Sequence, residues 1–115
     1  MTVYIDDMYR YAIGQFKGMK MSHMISDSED ELHDMAMRLG LGRAWHQGDH
    51  YDVPLDAREK AIRLGAIEIT YRQAAAMRRR QVVEGVCGEP AEAVTWLRGW
   101  FATRNSGLSA APERP

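Results

Sequence analysis

The pattern of apolar and polar positions along the chain predicts four short strands. A strand is indicated where β-branched and aromatic residues cluster, or where apolar residues alternate with polar ones. The segments that meet this description are residues 2–6, 19–25, 50–53 and 66–71. In the second strand, His23 shares the more apolar face with Ile25. In the last strand the alternation predicts burial of Ile67, Ile69 and Tyr71.

Three helices are predicted between and after these strands. The clearest begins at a capping box, in which the Ser28 hydroxyl and the Glu31 carboxylate each bond the other residue's amide. An apolar stripe follows, and Gly40 supplies a left-handed stop. The three predicted helices cover residues 28–39, 56–64 and 72–83.

A fourth, C-terminal helix is predicted over residues 90–103, with Pro90 at its first position. Its apolar residues form one wide aromatic stripe, which has to be covered. The stripe consists of Ala93, Trp96, Leu97, Trp100 and Phe101. It either closes the core of the domain or docks onto a second copy as a twofold homodimer, and the sequence leaves both interpretations open.

The order of these elements predicts the fold class. Strands that alternate with short helices imply right-handed crossovers, so we expect a small α/β sandwich with a partly parallel sheet flanked by helices. We assign residues 1–84 to a single α/β domain and residues 85–104 to a C-terminal helical extension. Residues 105–115 are rich in Ser, Ala and Pro, and we expect a disordered tail there.

Composition narrows the class of protein further. With 115 residues, 45% of them hydrophobic, the chain is the size of one globular domain, which argues against wholesale disorder and against a two-domain enzyme.

No apolar run approaches the ~20 residues of a membrane span and no signal region is evident, so we expect a cytoplasmic protein without membrane contact. Cys87 is the single cysteine, which excludes an internal disulfide and a thiolate metal site.

Charge gives only weak information about partners. The net charge is −1, with acidic residues dominating the first half of the chain and basic residues the second. The run Arg78–Arg80, with Arg72 and Arg98, could contact nucleic-acid phosphates. A solvated helix face explains the same run with fewer assumptions, and the isoelectric point near 6.4 also disfavours strong nucleic-acid binding.

The ends of the predicted strands carry the candidate metal ligands. In open parallel sheets, ligands bind beyond the carboxyl ends of the strands, so we expect side chains at these positions to converge on one edge. Carboxylates in such a place favour a hard divalent cation, Mg²⁺ or Mn²⁺, which can activate water for phosphoester hydrolysis. The candidate ligands are Asp6, Asp27, Asp49 and Asp52.

Other side chains near these ends are candidates for catalysis and substrate binding. Candidate proton-transfer groups are His23, His33 and His50, and Arg72 and Tyr51 are candidate substrate contacts, with Arg72 placed to pair with a phosphate. Plainer interpretations stay open. The aspartates can mark turns or a helix start, and a histidine on an apolar face is commonly a core residue. A histidine beside an aspartate can also act as a general acid or base without metal.

Several short motifs, taken together, resemble a known family. They are Val3-Tyr4-Ile5-Asp6-Asp7, Ser22-His23-Met24-Ile25-Ser26-Asp27, Glu31-Leu32-His33, Arg38-Leu39-Gly40, Asp49-His50-Tyr51-Asp52-Val53-Pro54, Leu64-Gly65-Ala66 and Thr70-Tyr71-Arg72-Gln73. As a set they are similar, over residues 2 to about 79, to the small bacterial and phage domain of unknown function called DUF4031. The resemblance implies membership and carries no activity with it. The segment beyond residue 85 lies outside the pattern.

Two functional hypotheses follow, and the sequence leaves open whether the protein is an enzyme. The first is a small metal-dependent hydrolase that acts on a phosphorylated or nucleotide-like substrate. The second is a non-catalytic phage or bacterial accessory protein. It would bind a small anionic ligand or a protein partner in the same pocket and use the helix with Trp96 and Trp100 for assembly.

Overall fold

One seven-residue strand organises the sheet. A computed structural model of the chain describes residues 2–106 and contains, within them, a five-stranded mixed sheet. Its strands are β1 (Tyr4–Ile5), β2 (Gln15–Phe16), β3 (Met19–Ile25), β4 (Tyr51–Pro54) and β5 (Ile67–Glu68). The strand β3 pairs antiparallel with β1, β2 and β4, whereas β1 and β5 run parallel. The mixed α/β class and the partly parallel sheet are therefore confirmed.

Helices cover both faces of this sheet. They are α1 (Glu29–Arg38), α2 (Leu55–Arg63), α3 (Tyr71–Glu84) and α4 (Pro90–Ser106). The core under α1 and α2 contains Val3, Ile5, Met24, Leu32, Met35, Tyr51 and Val53. The core under α3 and α4 contains Ile25, Ile69, Ala74, Met77, Cys87 and Ala93. Successive residues of β3 thus pack on opposite faces of the sheet: Met24 lies in the core under α1 and α2, and Ile25 lies in the core under α3 and α4.

The predicted strand over residues 66–71 is shorter than expected because a helix cap competes for its second half. Thr70 and Gln73 form a reciprocal capping box, and Tyr71 is the first residue of α3. Only Ile67 and Glu68 remain in β5, and Ile67 is exposed rather than buried. This places Tyr71 on a helix, where its side chain points toward β3.

A fifth strand, β2, which is not among the four predicted ones, forms a hairpin with β3. Gln15 pairs with Lys20 and Phe16 with Met19, so β2 and β3 are joined by the two residues Lys17 and Gly18. Both have positive φ, 50° and 80°, as the tight turns that match the twist of hairpin strands require. The segment lacks a clean apolar period, which is why pattern alone does not identify it.

The direction of β3 corrects one expectation about the candidate site. Because β3 runs antiparallel to β1, its carboxyl end lies at the opposite end of the strand pair from that of β1. Asp27 follows β3 and Asp6 follows β1, so the two carboxylates do not meet at a common edge. The expectation of one shared edge required parallel neighbours, and only β1 and β5 satisfy it.

Helix α4 packs along α3 and divides its aromatic stripe between two environments. Ala93 is fully buried in the core, and Leu97 packs against the same cluster. Trp96 and Trp100 stack on each other with ring centroids 5.8 Å apart, while Phe101 is 47% exposed. The helix extends to Ser106, three residues past its predicted end; the rest of the predicted tail, from residue 107, lies outside the described residues.

Membrane insertion finds no support in the helices. Within residues 2–106, none of them combines the length and apolar character that crossing a bilayer requires.

Candidate functional site

The register of the sheet brings three polar residues into one row across neighbouring strands. His23 of β3 lies opposite Asp52 of β4, and the amide of Asp6 donates to the carbonyl of His23 at 2.9 Å on the other side. Directly opposed residues of antiparallel strands project to the same face. Asp6, His23 and Asp52 therefore form a row, and His50, two residues before Asp52, projects to the same face.

Asp6 is fully buried, and its carboxylate accepts hydrogen bonds from the backbone of β3 and from the ring of His23. Its Oδ1 accepts the amides of His23, at 2.8 Å, and Met8, at 3.0 Å. Its Oδ2 lies 2.8 Å from Nδ1 of His23. Both carboxylate oxygens of Asp6 are thus occupied by hydrogen bonds. Asp6 therefore orients His23 and does not lie in the position of the metal ligand that the sequence predicts. This arrangement leaves Nε2 of His23 directed at the cavity.

His50 lies between two carboxylates. Its Nδ1 is 2.6 Å from Asp49 Oδ1, and its Nε2 is 3.3 Å from Asp52 Oδ1. The rings of His50 and His23 meet edge to face, with centroids 4.7 Å apart. Two of the three histidines predicted as proton-transfer groups, His23 and His50, are thus direct neighbours.

These contacts shift the pKa values of His50, Asp49 and Asp52. Burial by itself lowers the pKa of His50, but the hydrogen bonds to Asp52 and Asp49 outweigh burial and raise it. The hydrogen bond from His50 holds the pKa of Asp52 below its usual range. Burial favours a higher pKa for Asp49, but bonds from His50 and Arg78 outweigh it and lower the value. The carboxylates on both sides of His50 therefore stabilise its protonated form relative to an imidazole in water.

Helix α3 contributes a guanidinium and an aromatic ring to the same place. Arg78 Nε lies 3.3 Å from Asp49 Oδ2, and its Nη1 lies 3.5 Å from Nε2 of His23. The Tyr71 ring stacks nearly parallel to that of His23, with centroids 6.2 Å apart. Tyr71 and Arg78 are seven residues apart, which puts them on one helix face two turns apart.

The cation expected at Arg72 is instead supplied by Arg78. Arg72 is exposed on the first turn of α3 and does not line the cavity. From the sequence alone, a solvated helix face is the simpler interpretation of the run Arg78–Arg80, beside contact with nucleic-acid phosphates. The signal that could have found it was the i, i+7 spacing from Tyr71, combined with recognition that Thr70 caps a helix.

The side chains described above line a cavity of about 520 Å³, here called the His23 cavity. Its polar side is formed by His23, His50, Asp52, Tyr71 and Arg78. Its apolar side comes from two 3₁₀ turns, Met8–Arg10 and Ala12–Gly14, and from the β2–β3 hairpin. It consists of Met8, Ile13, Phe16 and Met21. A cavity of this size, with an apolar wall and a few convergent polar groups, has the character of a small-molecule site.

Three donors in the His23 cavity are spaced for a metal ion. One ligand atom each from His23, His50 and Asp52 lies within 4.8 Å of the others. Two donors of a tetrahedral zinc ion, each ~2.0–2.1 Å from the metal, are ~3.3 Å apart, which is the spacing of His50 Nε2 and Asp52 Oδ1. Two imidazoles and one carboxylate suit Zn²⁺, Mn²⁺ or Fe²⁺ better than Mg²⁺, because Mg²⁺ prefers oxygen ligands.

The remaining predicted residues lie elsewhere. Asp27 accepts the amide of Cys87 and lines a separate cavity of about 250 Å³. Asp49 lines that smaller cavity too and separates it from the His23 cavity through its bonds to His50 and Arg78. Tyr51 is buried on the opposite face of β4, where its hydroxyl meets His33. Neither Tyr51 nor His33 lines the His23 cavity.

Arg58 is a buried residue that is not among the candidates predicted from the sequence. Its Nε donates to the carbonyl of Asp6 at 2.9 Å, and its guanidinium lies over the ring of Tyr9. A second nitrogen bonds Glu68 at 3.2 Å. Arg58 therefore fixes the end of β1, and with it the backbone that carries Asp6.

Comparison with known proteins identifies the family. The chain matches the family described as "Protein of unknown function (DUF4031)" over residues 3–81, more than half its length, and it belongs to that family. The matched segment includes His23, His50, Asp52 and Arg78, and α4 lies beyond it. No curated protein and no solved structure matches the chain.

Proposed function

We propose that this DUF4031 member is a small metal-dependent hydrolase acting on a phosphorylated or nucleotide-like substrate. The observation that carries the proposal is the convergence of His23, His50 and Asp52 beside Arg78 in one cavity. A divalent cation and a neighbouring guanidinium together neutralise the negative charge on the phosphoryl oxygens while water attacks the phosphoester.

In this proposal His23, His50 and Asp52 hold the cation and leave further coordination positions for water and substrate. Asp6 keeps His23 in the tautomer whose Nε2 faces the metal, because its Oδ2 accepts the proton on Nδ1. Asp49 does the same for His50. Both imidazoles thus have a carboxylate on the nitrogen that faces away from the cation, a common arrangement around protein-bound metals.

Arg78 is the proposed phosphate anchor. Its guanidinium is only partly exposed and is held by Asp49, so it is preoriented toward the cavity. Beside it, the Tyr71 ring and the apolar side of the cavity offer surface for an organic group such as a nucleobase or an aryl ester. These contacts favour a substrate that combines a phosphate with a flat apolar part.

The second candidate is binding of a small anion without catalysis. Arg78 Nη1 and His23 Nε2 lie 3.5 Å apart and face the same cavity, so an anion could bind between them without metal. The two candidates differ in their need for a cation. In this second case, inorganic phosphate would stabilise the protein in the presence of a chelator, and divalent ions would not bind in the His23 cavity.

The test follows thermal unfolding and hydrolysis together. The full chain is titrated with Zn²⁺, Mn²⁺ and Mg²⁺, then assayed with p-nitrophenyl phosphate, bis-p-nitrophenyl phosphate and nucleotides. A cation at 100 times its Kd stabilises by about 2.7 kcal/mol. We expect hydrolysis, and the stabilisation that comes from a cation in the His23 cavity, to be lost in Asp52→Asn and kept in Asp34→Asn, an acidic residue of α1 outside the cavity. Turnover that is equal with and without metal, or equal in both variants, would refute the proposal.

A further inference from the structure

A second group of metal-binding side chains lies on the other face of β4. Tyr51 projects away from the His23 cavity, and around its ring lie His33 of α1 and His46 of the loop before β4. The rings of His33 and His46 have centroids 4.8 Å apart. Glu29 is one helical turn before His33 and reaches the same place.

Tyr51 occupies one ring nitrogen of His33 and leaves the other facing the group. Its Nδ1 lies 2.5 Å from the hydroxyl of Tyr51, a buried residue that holds the ring in position. Its Nε2 is therefore directed at Glu29, whose Oε1 is 4.0 Å away. When Nδ1 donates its proton to the Tyr51 hydroxyl, Nε2 carries the lone pair with which histidine binds a metal.

His46 supplies an independent indication that a ligand belongs here. Its Nε2 is buried and has no hydrogen-bond partner within residues 2–106. A buried polar atom without a partner is unfavourable and uncommon in a folded protein, and a bound ion is one of its standard explanations. One ligand atom each from Glu29, His33 and His46 lies within 4.8 Å of the others.

The charge around this group favours a cation. Glu29 and His46 line the cavity of about 250 Å³ together with Asp27 and Asp49, and no Lys or Arg is among the lining residues in the described part of the chain. The His23 cavity differs because Arg78 lines it and can receive an anion. Three carboxylates line the smaller cavity, and of these Asp49 is paired with Arg78, which lies outside the lining.

We propose that Glu29, His33 and His46 bind a second divalent cation, of the zinc class, independently of the His23 cavity. Two imidazoles and a carboxylate make a three-residue ligand set with a fourth position open to the cavity. The carboxylate can approach the imidazoles because Glu29 is mostly exposed and free to change rotamer. Tyr51 is the positioning residue for His33.

The experiment counts zinc ions by isothermal titration of the tag-free full chain with Zn²⁺. We expect two ions per chain in the wild type and one in His46→Gln. Glu29→Gln should weaken one site by at least about tenfold, and Asp30→Asn, in the same helical turn but outside the group, should leave both unchanged. Glu29 is exposed, so this variant tests the site even if His46→Gln fails to fold.

A cross-control separates this site from the proposed function. His50→Gln should remove the ion of the His23 cavity and leave the second one in place. If His50→Gln removes no ion while His46→Gln does, the proposed hydrolase fails and the second site stands. If neither Glu29→Gln nor His46→Gln changes the stoichiometry or affinity for Zn²⁺, the second site is refuted.

Discussion

The carboxylate of Asp6 holds the imidazole of His23 through Nδ1 at 2.8 Å and binds the amide of the same residue with its other oxygen. The strand β1 thus both positions β3 and sets the direction in which His23 presents its free nitrogen. Structure and candidate chemistry depend on the same carboxylate, which is fully buried. This coupling yields the first prediction.

Replacing Asp6 with Asn should weaken folding and metal binding together. The amide nitrogen of Asn would face a donor, either a backbone N–H or Nδ1–H of His23, so one buried bond is lost. We expect a loss of about 1–3 kcal/mol in the free energy of unfolding and a 10–100-fold loss of Zn²⁺ affinity at the His23 cavity. Urea unfolding and isothermal titration measure the two effects. Unchanged affinity in a folded Asp6→Asn protein would contradict the orienting role of Asp6.

Arg78 and Arg72 give a matched test of which guanidinium binds phosphate. Arg78→Lys keeps the charge but loses the planar fork that pairs with phosphate, so we expect KM for a phosphoester to rise about tenfold or more. Arg72→Lys, on the same helix but outside the cavity, should leave KM unchanged. Steady-state kinetics on both variants decide the matter, and a larger effect from Arg72 would restore the assignment made from sequence.

The contrast between these two arginines shows what the sequence can predict. Local signals located α1 and α4 within a few residues and singled out His23, His50 and Asp52, because capping, periodicity and polar clusters act over short distances. The choice between Arg72 and Arg78 depends on where α3 begins, which the Thr70 cap decides. The separation of Asp27 from Asp6 depends on strand direction, which is set by pairing between distant segments and leaves no local pattern.

Cys87 predicts a pH dependence at the alkaline end. Burial, followed by the nearby carboxylate of Asp27, raises the pKa of the thiol to about 12. Because the folded state holds the neutral thiol, its contribution to stability is complete below the ordinary thiol pKa and is lost as pH rises from about 9 toward about 12. Urea unfolding of wild type and Cys87→Ser should therefore show a steeper alkaline loss for wild type. Parallel pH profiles would contradict the buried thiol.

Gly14 is required for the wall of the His23 cavity. A Cβ at this position would lie 2.3 Å from the carbonyl oxygen of Met8, a backbone atom that cannot move aside cheaply. We expect Gly14→Ala to destabilise the protein by about 1–3 kcal/mol and to weaken ligand binding in the cavity. Gly42→Ala is the matched control, since nothing lies within 4 Å of its Cβ position and its φ is −80°. Equal unfolding midpoints for the two variants would refute this explanation.

The exposed end of the α4 stripe gives a test of the homodimer through Trp96 and Trp100, which the sequence leaves open as one of two interpretations. Deleting α4 is unsuitable because Ala93 belongs to the core. Phe101 is exposed in the single chain, so Phe101→Glu should leave the fold intact but place a charge in any interface on this face. Light scattering over a range of concentrations should show a dimer for wild type and for Met37→Glu, an exposed apolar position on α1, and a monomer for Phe101→Glu. A dimer that survives Phe101→Glu would move the interface elsewhere, and a wild type that is monomeric at every concentration would refute the dimer.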